Sequence, residues 1–177
     1  MATTTLTTPL WAMETASFDA RFTPASAIPP LFQQLVERLA DLLRAERALV
    51  DEWTYFPAVN IDPDEITHAF AATDAAAQMV LSTPPASPGD RALQIGALLV
   101  RLAIGMEDAV DRAGVHQMIG EARARLLLEP GHPEAGPVNR LLSIAFARLD
   151  SLATLEAEVA ELPDEAETAG DALAAYL

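Results

Sequence analysis

The chain has 177 residues, 51% of them hydrophobic, enough to fill the core of one domain and to argue against disorder along its whole length. Its 26 acidic residues against 11 basic ones leave a net charge of -15, and every basic residue is Arg. Such a field repels phosphate backbones and anionic bilayers, which argues against nucleic-acid and membrane partners and suits a basic protein or a metal cation.

With no Cys, the chain forms no disulfide and brings no thiolate to a metal or a reaction. Its start, MATTTLTTPLWAMETASF, lacks the basic region and continuous apolar run of a signal peptide, so the expected location is cytoplasmic. Residues 1–27 are rich in Thr, Ala and Pro, with Leu10, Trp11, Phe18 and Phe22 at no regular period. They are expected to form an irregular arm whose aromatics lie across the body of the protein or of a second copy.

The first helix is expected from Pro29 or Pro30, led in by Ser26, to about Phe56, before Pro57. Leu31, Leu35, Leu39, Leu42, Leu49, Trp53 and Phe56 form its apolar stripe, and Glu37, Arg38, Asp41, Arg44, Glu46 and Arg47 its wet side. In NIDPDE, Asp62 suits the N-cap, Pro63 the first position and Glu65 the third of a second helix. That helix continues to Leu81, with Ile66, Phe70, Ala77 and Val80 or Leu81 inward. Ser87, Pro88 and Asp90 repeat the same start pattern after STPPASP.

From Ser87 the pattern is compatible with helix as far as Leu128, with a break expected at Gly114 if one exists. Ala92 to Met106 is the most apolar segment and is too short to cross a bilayer. It reads as a buried central helix with a narrow polar strip of Gln94, Arg101 and Asp108, and with close neighbours expected at Gly96, Gly105 and Gly114. After the loop LEPGHPEAGP, the last helix is expected to start with Pro137 at its first position and to end near Leu162, before Pro163.

No long stretch alternates with period two. The expected fold is all-α, an antiparallel helical bundle of four to five main helices over residues 28–162, between the irregular arm of 1–27 and an acidic tail of 163–177.

The spacing of Glu65 and His68 puts a carboxylate and an imidazole on one helix face, as in di-metal carboxylate bundles, although no second such pair follows. Glu107, Asp108 and Asp111 gather oxygen donors after the apolar helix, and Glu37 with Asp41 forms a further acidic pair. Together Glu65, His68, Glu107, Asp108 and Asp111 are the candidate ligands of a divalent metal ion, with Arg101, Arg112 and Arg140 available to a substrate phosphate. No Lys-containing phosphate loop, serine elbow or H-E-x-x-H accompanies them. The sequence therefore reads as an acidic helical interaction or structural protein, expected to pair with another protein or with itself as a homodimer. The alternative is a metal-dependent hydrolase or a metal-binding bundle. Trp11, Phe18, Phe22, Trp53 and Phe56 are the candidate contact residues, since one small bundle does not need all of these aromatics inside.

Overall fold

The computed structural model describes residues 26–55, 63–106 and 109–160, apart from the side chains of 51–55, 63, 109–110 and 159–160. Five helices account for them: α1 (Ile28–Tyr55), α2 (Pro63–Ser82), α3 (Pro88–Gly105), α4 (Ala109–Leu126) and α5 (Ala135–Ala160), with no strand among the described residues. The arm up to residue 25 and the tail from 161 lie outside this description, as do Trp11, Phe18, Phe22, Phe56 and the side chain of Trp53. None of the described helices is long and apolar enough to cross a membrane.

Cross-helix contacts set the directions. Val36 accepts a hydrogen bond from Arg148 and Arg47 faces Glu158, so α1 and α5 run parallel. Ser26 meets Asp90, and Phe32 lies beside Gly96, which aligns α3 with both. By contrast, Gln94 and Arg101 of α3 reach Val80 and Asp74 of α2, while Arg112 and Arg123 of α4 reach Glu156 and Asp150 of α5. The even-numbered helices thus run against the odd ones, the antiparallel arrangement that short connections favour. As a result the N-termini of α1, α3 and α5 gather at one end of the bundle.

That end is locked by polar contacts that follow from local sequence. Ser87 caps α3 by accepting from the Asp90 amide at 3.1 Å, and the Asp90 carboxylate accepts in return from the Ser87 amide at 3.2 Å and the Ala86 amide at 2.8 Å. The other oxygen of Asp90 accepts from the Ser26 hydroxyl at 2.6 Å, and Ser26 in turn accepts from the Ile28 amide that opens α1. Glu134, just before α5, accepts from the Gly89 amide at 3.1 Å, so an acid borne by one helix start neutralises the exposed amides of another. The loop before α5 is closed by Asn139, whose amide both accepts from and donates to the Leu128 backbone at 2.8 Å.

Between the ends the core is apolar and continuous. Ile28, Phe32, Leu35, Val36, Leu39 and Leu42 of α1 meet Leu93, Ala97 and Val100 of α3 and Leu142, Phe146 and Leu149 of α5. Phe32 and Phe146 are its largest fully buried side chains, each of which costs about 3–5 kcal/mol on truncation to Ala. In α1, Leu35, Leu39 and Leu42 of the expected stripe are buried, while Phe32 joins them in the core and Leu31 stays at the edge. In α2, Ala76, Ala77 and Val80 pack inward while Phe70, expected there, is 39% exposed. Thr73 is buried between them without an orphaned hydroxyl, since it donates to the Ala69 carbonyl at 2.8 Å.

The central stretch departs most from expectation. Its break lies after Gly105, where Met106 is extended (φ -83, ψ 119), and Gly114 sits inside α4. Gly105 has the weak helix propensity that suits an end, and α4 restarts with Asp111 in its first turn and Arg123 and Arg125 in its last, matching the helix dipole. Nor is α3 covered on all sides. Ile95 and Leu98 are nearly half exposed between Arg91 and Arg101, and only Gly96 of the three glycines is crowded, a Cβ there falling 2.7 Å from Leu142 Cδ2. Gln94, expected to be wet, instead donates to the Thr83 and Val80 carbonyls at 2.7 and 3.2 Å and closes the end of α2.

Candidate functional site

Away from the locked end, α1, α4 and α5 enclose a half-open cleft of about 520 Å³. Helical spacing delivers its lining: Glu46 and Val50 are four apart on α1, Arg112 and His116 four apart on α4, and Leu152, Leu155 and Glu156 occupy one face of α5. Ala113, Ala153 and Ala157 keep the walls short. Apolar walls around a few convergent polar groups are the usual make-up of a binding site, and the volume falls in the range of such sites.

Glu156 is the hub. One of its oxygens lies 3.0 Å from Arg112 Nη1 and the other 3.8 Å from His116 Nε2, at positions where both α4 side chains are largely buried. The second distance is too long for a hydrogen bond, and His116 Nε2 is buried with no hydrogen-bond partner among the described residues. Glu46 completes the group from α1. Burial and the nearby Glu156 charge push its carboxyl above the ordinary 4.5, with Arg112 pulling the other way. Unlike Glu156, Glu46 makes no hydrogen bond or ion pair among the described residues. Two carboxylates therefore share one guanidinium and one imidazole, in surroundings where an unpartnered charge is less well solvated than on an open surface.

The candidate metal ligands lie elsewhere. Glu65 and His68 are exposed on α2 and line a shallower groove of about 490 Å³ with Arg38, Asp41 and Arg44 of α1. Asp41, the acid nearest in character to a third ligand, is occupied by Arg38 at 3.3 Å and Arg44 at 3.1 Å. Asp111 is an exposed residue of the first turn of α4, and Glu107 and Asp108 lie outside the described residues. Among the described residues no three His, Asp or Glu side chains are grouped so as to hold a metal ion. Of the arginines considered for phosphate, Arg112 is in the cleft and Arg101 is paired with Asp74 at 2.7 Å.

Of the polar cleft residues the sequence pattern singles out Arg112 alone, as a candidate for substrate phosphate, and not Glu46, His116 or Glu156. Glu46 reads as one of six charged residues on the wet side of α1, and the acids of α4, Asp111 and Glu121, are not at i,i+3 or i,i+4 spacing from both Arg112 and His116 to single that pair out. What joins them is the rotation of α1 and α5 about their axes, which periodicity does not specify. The one sign available was Glu46 four residues before Val50, an acid in line with an apolar residue near the end of the stripe. In comparisons with protein-family models, with curated proteins and with solved structures, nothing matches this chain.

Proposed function

We propose that this helical bundle is an interaction protein and that the cleft between α1, α4 and α5 is where it receives a partner. One observation carries the reading: a cleft with apolar walls holds Glu46, which has no hydrogen bond or ion pair of its own among the described residues, beside an Arg112–Glu156 pair that is already formed. A surface that had only to remain soluble gains nothing from a half-buried, unpartnered carboxylate, whereas a contact site gains a group ready to be neutralised on binding. A photo-crosslinking residue at Ala113, on the rim, tests this in the source cells against the same residue at the exposed Gln33 of α1. A discrete adduct from position 113 that Ala153→Phe abolishes, with helicity retained, is the expected result. Identical adducts from both positions, or none from 113, would contradict it.

Self-association as a homodimer is a second reading, favoured by Phe70, Met79, Ile95, Leu98, Met118 and Leu127, large apolar side chains between 37% and 46% exposed. Sedimentation equilibrium at micromolar concentration decides it, a monomer across the range removing the dimer. The pairing of Glu65 and His68 in the α1–α2 groove supports the metal-binding alternative, for which calorimetric titration with Mg²⁺, Mn²⁺ and Zn²⁺ is the test. Absence of saturable heat removes it.

A further inference from the structure

We infer that the cleft takes a basic side chain carried by an apolar segment of a partner protein, with Glu46 as its counter-ion. The inference rests on the cleft being the contact site and adds the chemistry of what enters it. The accounting of charges leads there. Arg38 and Arg44 are held by Asp41, Arg101 by Asp74 and Arg123 by Asp150, and Arg47, next to Glu46 in sequence, faces Glu158 at 3.7 Å. Arg148 donates to the Val36 carbonyl, and among the described residues Arg112 is the one arginine that lines the cleft. That guanidinium already has Glu156 at 3.0 Å, so among the described residues no second arginine lines the cleft to face Glu46.

Other occupants fit less well. An anion would meet two carboxylates for one guanidinium, and a divalent metal would find a positive charge beside it and, among the described residues, no three His, Asp or Glu side chains grouped to hold it. A Lys or Arg side chain answers both demands of the site. Its methylene stem covers Val50, Leu152 and Leu155 while its head reaches the acid, and the apolar residues flanking it extend the contact over the short alanine walls. The net charge of -15 draws such a segment in and slows the approach of acidic competitors. Burial of Glu46 acts in the same direction, because a carboxylate already short of solvation gains more from a cation than one in open water.

The test uses the full chain, isotope-labelled, and three helical peptides of leucine with lysine, norleucine or glutamate at one central position. The lysine peptide is expected to shift the amides of Val50, Ala113, His116, Ala153 and Ala157, and to bind about tenfold more tightly than the norleucine peptide. Glu46→Gln is expected to abolish that tenfold preference, while Glu121→Gln, at an exposed site of α4, leaves it unchanged. Norleucine binding in the cleft as tightly as lysine would overturn the basic-partner inference and leave the contact site standing. Shifts spread outside the cleft, with Glu121→Gln as damaging as Glu46→Gln, would overturn it in favour of general attraction to an acidic surface. Free butylamine binding as tightly as the lysine peptide would also overturn it, making the occupant a small amine.

Discussion

Two carboxylates, one at the α3 N-terminus and one at the cleft, show how differently the same bundle treats its buried acids. Asp90 is 2% exposed and accepts from the Ser26 hydroxyl and from the Ala86 and Ser87 amides, so every nearby donor that its position leaves exposed is answered. Glu46 is only half-buried, yet burial pushes its carboxyl upward, and it makes no hydrogen bond or ion pair among the described residues. The difference lies in what each neighbourhood offers. At the locked end the starts of α1 and α3 present free amides and a serine, groups that an acid satisfies and is satisfied by. The cleft offers side walls of finished helices, whose amides are already used, and a single guanidinium already engaged. A buried acid is thus a structural fastening in the first place and an open valence in the second.

Substitutions at the locked end and around the cleft test this difference. The largest expected effect is at Asp90: replacing it by Ala leaves the Ser26, Ala86 and Ser87 donors unanswered, and urea unfolding should register a loss of about 3 kcal/mol. A loss below about 0.5 kcal/mol would remove the locked end from the account. Next comes Gly96, where an added Cβ would fall against Leu142 and Phe32; Gly96→Ala is expected to lose about 1 kcal/mol, overpacking outweighing the better helix propensity. Gly114, beside the cleft in α4, has nothing within 4 Å of such a Cβ. There Gly114→Ala should gain about 0.5–1 kcal/mol, read as a rise in the melting temperature.

These predictions also separate what the sequence discloses from what it hides. The locked end was legible because its determinants are local: Ser87, Pro88 and Asp90 state a capping box within four residues, and Ser26 precedes two prolines that suit a first turn. An all-helical bundle of four to five helices is legible from periodicity and proline placement, with the start of α5 two residues earlier than Pro137 suggests. The break within 87–129 was misplaced because three glycines at equal spacing look alike in sequence, whereas only tertiary packing separates the crowded Gly96 from the open Gly105 and Gly114. The cleft was hidden for a related reason. Glu46, Arg112, His116 and Glu156 come from three helices, and a turn of any one of them about its axis would leave the same residues on a solvated face.

The smallest expected effect bears most directly on the central claim that Glu46 is kept at some expense of stability. A carboxyl raised above 4.5 in the folded chain binds protons more readily there than when unfolded, so its contribution is full below that value and is lost as pH rises through the folded pKa. Urea unfolding of the wild type and Glu46→Gln at neutral pH and near pH 4 measures this. The account predicts a variant more stable at neutral pH by roughly 0.3 kcal/mol, a modest figure because the group is half in water, with the advantage vanishing at the acidic pH. A variant less stable than wild type at neutral pH would mean that the Glu46 carboxylate is already satisfied within the fold, and would contradict the claim.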